Sequence, residues 1–326
     1  MTDVGAGPAK PVLERNPRSP PLRIVCMLSS PSTSPVRGAL RTTPDRRLVD
    51  HVDRIAQEHP PIDLATCDFT VNRPDQVVRR FAPVLSYMAR AELEVERNSL
   101  ELAVMLPHAP EVDRYFYEEV WTPQEANHGL ALDELQVRLG LSPAQTDLTT
   151  LTRKVRAVGA MAHLPGIQDV VRMLYYLTGM TTERSAIVAY RHLEDGLAEL
   201  GEGALVETIV APIRRQEPGH FAFYRLSSRD LWPRLAQWQR WLVRRLRQVS
   251  FAPVAAGDNH QKSDVGDMMI ALGVGTAESS EAFVKTVARS EAELLGAASR
   301  GLEVPPYIVR SFRECLALAR HRAEAA

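Results

Sequence analysis

Apolar positions recur at three- and four-residue intervals along most of this chain, with no convincing two-residue alternation between them. The pattern predicts a helix near 44–58 that stops before Pro60-Pro61. A long helix follows over about 74–106, with Phe81, Leu85, Met88, Val95, Ser99, Leu102 and Leu106 on one stripe. Helices are expected again near 110–139, ending at Gly140, and near 148–162. Pro165-Gly166 breaks the chain before a helix at 167–178, and Gly179 separates that one from another at 181–200. Two more are read at 203–229 and 231–248. A loop containing Gly, Asp and Asn (Ala256 to His260) precedes a last pair at 276–298 and 305–322. The expected fold class is all-α.

Residues 1–43 break the pattern: they are rich in Pro, Ser, Gly and Arg and read as a mobile arm, leaving 44–326 as the helical domain. Within the arm, Arg23 to Ser29 is an apolar island able to dock on the body. A formal net charge of -1 with 24% charged residues gives no global signal for nucleic acid or an anionic surface. No apolar run approaches the roughly 20 residues a membrane span needs, and no secretory signal pattern opens the chain. Cys26, Cys67 and Cys315 are odd in number and far apart, which suits reduced thiols. These features point to the cytoplasm.

Against this background two short motifs stand out. Glu125-Ala-Asn-His128 and Glu217-Pro-Gly-His220 each place a carboxylate and an imidazole three residues apart, on one face of a helix. Each is preceded, one helical hairpin earlier, by a Glu-Arg pair, Glu96-Arg97 and Glu183-Arg184. One Glu-x-x-His alone is weak evidence, because a Glu-rich chain with nine histidines produces one by accident. Order and spacing change this. Glu96 precedes Glu125 by 29 residues and Glu183 precedes Glu217 by 34, intervals that let one helix run up and the next return level with it.

Four glutamates and two histidines delivered inward in this way form the ligand set of carboxylate-bridged di-iron and di-manganese four-helix bundles. Paired ions about 3.5–4 Å apart need carboxylates to bridge them, and nitrogen plus oxygen donors suit iron. The expected metal ligands are Glu96, Glu125, His128, Glu183, Glu217 and His220. Glu92 lies on the same stripe as Glu96, and its interval of 33 residues to Glu125 serves equally well. Glu96 is preferred because Glu96-Arg-Asn-Ser echoes Glu183-Arg-Ser-Ala.

The same residues resemble a known family. Trp121-Thr-Pro-Gln-Glu-Ala-Asn-His-Gly129 is similar to the Trp-Thr-Ala-Glu-Glu-Asn-Arg-His-Gly stretch of the soluble acyl-acyl carrier protein desaturases. Thr182-Glu-Arg-Ser-Ala186 resembles their Gln-Glu-Arg-Ala-Thr, and Gln216 to His220 their Asp-Glu-Lys-Arg-His. Leu272-Gly-Val-Gly-Thr-Ala277 is similar to their Leu-Gly-Val-Tyr-Thr-Ala segment. The likeness covers roughly residues 75–300, specific in the two motif blocks and diffuse elsewhere. It implies a ferritin-like bundle, usually dimeric, that holds two irons and uses O2 to remove hydrogens from an acyl chain. An acyl carrier protein would bring the chain and a ferredoxin-like donor two electrons. Glu125 and Glu217 would bridge the irons.

The departures matter as much. Gln124 and Gln216 stand where that family has an acid before each Glu-x-x-His. An amide oxygen still accepts the histidine N–H, without the charge. Ala186 replaces a hydroxyl residue, with Ser185, Thr181 and Thr182 nearby. Pro218 and Gly219 lie inside the second motif, where a helix prefers neither, and a kink there is expected to reshape the metal pocket or substrate channel.

Arg234, Arg240, Arg244, Arg245 and Arg247 share a helix with Trp232, Trp238 and Trp241. The plain reading is a solvated basic face with aromatics in the core; the sharper one is a docking surface for an acidic carrier protein or ferredoxin. Tyr175, Tyr176, Tyr190 and Tyr224 are read as core packing, with a channel or radical role as the alternative. The remaining histidines have no ligand-like partner at helical spacing, and no glycine-rich phosphate loop points to a nucleotide.

Two rival functions stay open. One is a di-iron hydroxylase or N-oxygenase on another small molecule; amine oxygenases of this architecture carry an extra histidine where this chain has Ile213. The other is a metal-binding bundle without catalysis, which the long segment after residue 229 fits poorly.

Overall fold

A computed structural model describes residues 46–146, 151, 153–164, 166–253 and 258–325. The N-terminal arm, with its apolar island and Cys26, lies outside the described residues. The fold is all-α, and no strand occurs among the described residues. Among the described residues no helix is long and apolar enough to cross a membrane.

The first helices are α1 (Arg46–Glu58), α2 (Pro74–Leu93) and α3 (Val95–Met105). Helix α4 (Glu111–Tyr115) runs through a π-helical turn (Phe116–Trp121) into α5 (Thr122–Arg138). Helices α6 (Arg153–Ala162) and α7 (Ile167–Glu199) follow. A one-turn α8 (Gly203–Leu205) and a second π-helical turn (Val206–Val210) lead into α9 (Ala211–Leu231). The chain closes with α10 (Gln237–Ser250), α11 (Asn259–Ala271), α12 (Ala277–Leu294) and α13 (Pro306–Ala325).

The structure departs from the pattern reading at several places, each for a physical reason. The expected helix over 74–106 is two, divided at Glu94, where Arg97 closes the break with an ion pair to the buried Glu94 carboxylate at 2.6 Å. Gly179 does not break the chain: α7 runs straight through it, because a β-carbon there would collide with the Tyr224 ring of α9. Here glycine permits close helix approach rather than a turn. Helix α11 begins at the end of the expected loop and runs through residues for which the pattern gave no element; its buried face is Ser263, Val265, Gly266, Met268 and Met269, too small and mixed to show as a stripe. Trp238 and Trp241 point out into solvent, against the expectation of aromatics in the core, whereas Arg247 from the same basic run is buried.

Helix α2 packs on α5, and α7 on α9. The apolar core has two parts. One holds Phe81, Leu85, Leu132, Leu135, Tyr190, Leu193 and Ile213; the other holds Val95, Trp121, Met173, Leu177, Met180, Phe223 and Leu231. Along α7 and α5 the chain passes from the second part to the first, and along α9 from the first to the second. The chain of α2 likewise leaves the first part and meets the second at Val95. The pairs α2–α5 and α7–α9 are therefore antiparallel. Glu92, Glu125–His128, Glu183 and Glu217–His220 all fall in the interval between the two parts. The sequence thus reserves one level of a four-helix core for ionisable groups.

Candidate metal centre

Both Glu-x-x-His helices are entered through a π-helical turn, a local widening that proteins place near functional sites. Gly129, directly after His128, lets α5 press on α2: a β-carbon there would lie 2.7 Å from Leu93 Cγ and 2.8 Å from the Leu93 backbone nitrogen. That contact holds the first motif against the residue following Glu92.

Five of the six expected side chains come together. Glu125, His128, Glu183, Glu217 and His220 are buried at one level of the core. Glu96 does not join them. It is exposed on α3, because the break at Glu94 rotates α3 out of phase with α2. Glu92, on the last turn of α2, takes its place.

The six groups form two overlapping sets. Glu92, Glu125, His128 and Glu217 make one, and Glu125, Glu183, Glu217 and His220 the other. Within each set one ligand atom per residue lies within 4.8 Å of all the others. Glu125 and Glu217 belong to both, the position of bridging carboxylates. His128 Nδ1 lies 3.3 Å from Glu217 Oε1 and 3.7 Å from Glu125 Oε2. His220 Nδ1 lies 2.8 Å from Glu125 Oε1 and 3.8 Å from carboxylate oxygens of Glu183 and Glu217.

The hydrogen bonds decide which histidine nitrogen faces inward. Gln216 donates its amide N–H to the Pro60 carbonyl at 2.7 Å, and Gln124 donates to the His59 carbonyl. Since a carbonyl only accepts, each amide oxygen must point the other way, toward a histidine. His128 Nε2–H then donates to Gln216 Oε1 at 2.6 Å, and His220 Nε2–H to Gln124 Oε1 at 2.5 Å. Each glutamine thus holds the histidine of the opposite motif. With Nε2 carrying the hydrogen, a neutral ring presents its Nδ1 lone pair to the carboxylates.

That arrangement fits a cation. Nδ1 of both histidines, Glu125 Oε1 and both Glu217 oxygens are buried without a hydrogen-bond partner. A lone pair facing a carboxylate oxygen at 2.8 Å is repulsive unless a proton or a metal ion lies between them. The outer carboxylates are held from the side. Tyr190 O–H donates to Glu92 Oε1 at 2.7 Å, and Trp121 Nε1–H donates to Glu183 Oε1 at 3.3 Å.

Proton affinities show the same demand. Burial, with Glu125 and Glu217 nearby, pushes Glu92 well above the ordinary carboxylate range. Burial also raises Glu183 strongly, and the pull of His220 does not offset it. For Glu125 burial acts upward, but the Glu92 carboxyl and the adjacent His128 and His220 rings outweigh it and hold the group low. Burial would depress His128, yet Glu125 and Glu217 lift it to about 9, and His220 is raised in the same way. The cluster balances its charge by collecting protons, and cations compete for the same positions.

A cavity of about 730 Å³ abuts this cluster. Glu92, Glu125 and Glu183 form part of its wall, and most of the rest is apolar, including Val95, Leu174, Phe283 and Phe312. Tyr175 and Tyr224 also line it, while Tyr176 is buried away from it, donating to Asp113. Ser185, Thr181 and Thr182 are on the wall beside Ala186.

Pro218 and Gly219 do not line the cavity. Pro218 is exposed, whereas Gly219 lies beneath α1: His51 Nε2–H donates to the Gly219 carbonyl at 2.9 Å, and a β-carbon at Gly219 would sit 3.0 Å from Ile55 Cγ2. Gly219 seats α1, whose C-terminal end leads directly to the His59 and Pro60 carbonyls. The roles of Tyr190, Trp121 and those two carbonyls left no sequence signal, being contacts between distant residues; Trp121 showed only as part of a motif. Comparison with family models, with curated proteins and with solved structures returned no match.

Proposed function

We propose that this chain is an O2-dependent di-iron oxidoreductase that removes hydrogens from an acyl chain lying in the cavity, on a ferritin-like core. One observation carries the reading: four carboxylates and two inward-facing imidazole Nδ1 atoms, several without partners, share a buried level that opens onto an apolar cavity. Mixed oxygen and nitrogen donors with two shared carboxylates suit a pair of iron ions. Bound iron would supply O2 reduction and the oxidising power to take hydrogen from an unactivated carbon.

The protein's own part is positioning. Glu92, Glu125, His128, Glu183, Glu217 and His220 would hold the ions, Glu125 and Glu217 bridging them. Gln124 and Gln216 fix the histidine tautomers, and Tyr190 and Trp121 fix the outer glutamates. The apolar wall orients a hydrocarbon chain past Glu92 and Glu183 and keeps water away from it. An acyl carrier protein, a ferredoxin-like donor and a dimeric state are the partners and assembly that the family resemblance implies. A second reading, hydroxylation of another small molecule, is favoured by Ala186, which puts a methyl group on the wall where the resembling family has a hydroxyl.

Iron quantification with optical spectra of the reduced protein before and after O2 tests the reading. About two irons per chain and an oxo-bridge band after O2 are expected. Acyl substrates should then lose two hydrogens rather than gain an oxygen atom. A chain that binds no iron, or binds it without reacting with O2, rules the proposal out.

A further inference from the structure

Helix α10 is inside out. Its core-facing stripe is Gln239, Val243 and Arg247, two of them polar. Both polar groups are satisfied within the fold. Gln239 donates to the Gly166 carbonyl at 2.7 Å, and Arg247 bonds Glu291, Thr178 Oγ1, Thr181 Oγ1 and the Leu177 carbonyl. Large apolar side chains face solvent instead, interspersed with Gln237, Arg245 and Gln248: Trp238 is 50% exposed, Trp241 57% and Val249 82%. Met161 and Leu164, leading toward α7, are exposed as well, and the Trp238 ring lies against the intervening Gly166.

Arginines surround these apolar side chains. Arg240 and Arg244 stack over Trp232, and Arg245 over Trp241 at 5.8 Å. Arg300 is close enough to repel Arg244. Among the described residues none of these four arginines has a carboxylate partner within ion-pair distance, although the protein pairs many of its other arginines. The face also borders the cavity, since Met161, Leu242 and Leu246 belong to the cavity wall and Met161 and Leu246 reach solvent.

Tryptophan and aliphatic side chains beside uncompensated arginines need negative charge and an apolar medium together. The boundary between headgroups and acyl chains of a bilayer offers both. A second copy of the chain fits poorly, because a two-fold contact would set these arginines against their own equivalents. An acidic protein would satisfy the arginines but not the larger number of apolar side chains standing in water.

We propose that the α10 face, with Met161 and Leu164, seats on a bilayer containing anionic phospholipid. Trp238, Trp241 and Val249 enter the headgroup region, Arg240, Arg244, Arg245 and Arg300 meet the phosphates, and the margin of the cavity comes to the lipid surface. Only the use of that margin, to admit a hydrocarbon chain from the lipid phase, rests on the function proposed above.

Sedimentation of the full chain with vesicles tests this. Vesicles of phosphatidylcholine with phosphatidylglycerol should bind it roughly tenfold more tightly than phosphatidylcholine alone, with salt weakening the binding. The tryptophan emission should shift to the blue. The double variants Trp238→Ala with Trp241→Ala, and Arg244→Glu with Arg245→Glu, should each lower binding about tenfold or more with helix content unchanged. Failure to bind either vesicle, indifference to both double variants, or binding of an acyl carrier protein at this face without any vesicle binding overturns the proposal. Metal content, measured separately, keeps the two readings apart. A chain that takes no iron yet binds anionic vesicles leaves this inference standing and removes the di-iron one.

Discussion

His220 donates its Nε2–H to Gln124 at 2.5 Å across 96 positions of sequence, from one Glu-x-x-His motif to the residue that introduces the other. The reciprocal bond joins His128 to Gln216. Each motif therefore supplies its own carboxylate and imidazole but depends on its counterpart for tautomer and ring orientation. Gln124→Leu should weaken metal binding roughly ten- to a hundredfold, mainly at the set that contains His220. Gln124→Glu, which keeps an acceptor there, should lose less. Competition between the protein and a chelator for ferrous or cobaltous ion measures both, and an unchanged affinity in Gln124→Leu would deny the glutamine this part.

Glu92 and Glu96 are one helical turn apart, yet only Glu92 reaches the cluster. Glu92→Ala should therefore cost about half of the bound metal, one of the two ligand sets having lost its outer carboxylate. Glu96→Ala should cost none. Without metal, Glu92→Ala should also melt at a lower temperature than the parent, because burial keeps Glu92 protonated and a donor to the Glu125 carboxylate, which the variant leaves without that hydrogen bond. Metal analysis after dialysis, with thermal melts, checks all three statements.

The contrast between these two glutamates shows where sequence reasoning reaches and where it stops. Periodicity locates most of the helices, and two Glu-x-x-His motifs at matching intervals are legible because helical spacing is local. The choice of Glu96 over Glu92 relied on a tetrapeptide echo with Glu183-Arg-Ser-Ala. It failed because the break at Glu94 changes the helical phase, and that break is closed by Arg97, an ordinary-looking surface residue in the sequence. Gly179 misled in the opposite sense: its role is set by Tyr224, 45 residues away, and nothing local distinguishes close packing from a helix stop. Pro218-Gly219 was visible as an oddity, but Gly219 serves α1 and not the cavity, and Pro218 is exposed.

If the cavity receives a hydrocarbon chain, filling it should abolish turnover while sparing the metal. Ala186 lies on the wall next to Glu183, two turns from the Thr178 that holds Arg247. Ala186→Phe should reduce palmitate binding, measured by calorimetry, by about tenfold or more, with iron content and its spectrum unchanged. Equal palmitate binding by parent and variant would place the chain elsewhere.

Asp113 offers a stability test away from the metal site. It is buried, and its neighbours Tyr176 and Arg172 only partly oppose the effect of burial, which pushes the carboxyl from 3.8 up to about 6. A folded value above the unfolded one favours the neutral form, so the stabilisation is fully present below 3.8 and is lost as pH rises through about 6. Asp113→Asn keeps an acceptor for the Tyr176 O–H and cannot ionise. Its melting temperature should match the parent near pH 4 and exceed it by a few degrees at pH 7 to 8. A variant less stable than the parent at the higher pH would show that the charged form is the one the fold prefers.

Gly219 links the seating of α1 to the tautomers of both histidines. Its carbonyl takes the His51 N–H, its missing side chain makes room for Ile55, and α1 then delivers the His59 and Pro60 carbonyls that orient Gln124 and Gln216. Gly219→Leu should lift α1, lower the melting temperature and weaken metal binding together, although Gly219 itself touches no ligand set. Pro218, which is exposed, is the control. Pro218→Ala restores a helical N–H and should raise stability, in the sense of the proline penalty of about 3 kcal/mol in a helix interior, while leaving metal affinity as it was. Melts with and without metal separate the two variants. If Gly219→Leu destabilised the fold but bound metal like the parent, the glutamines would hold their orientation without α1, and the chain of contacts from Gly219 to the histidines would be broken at that step.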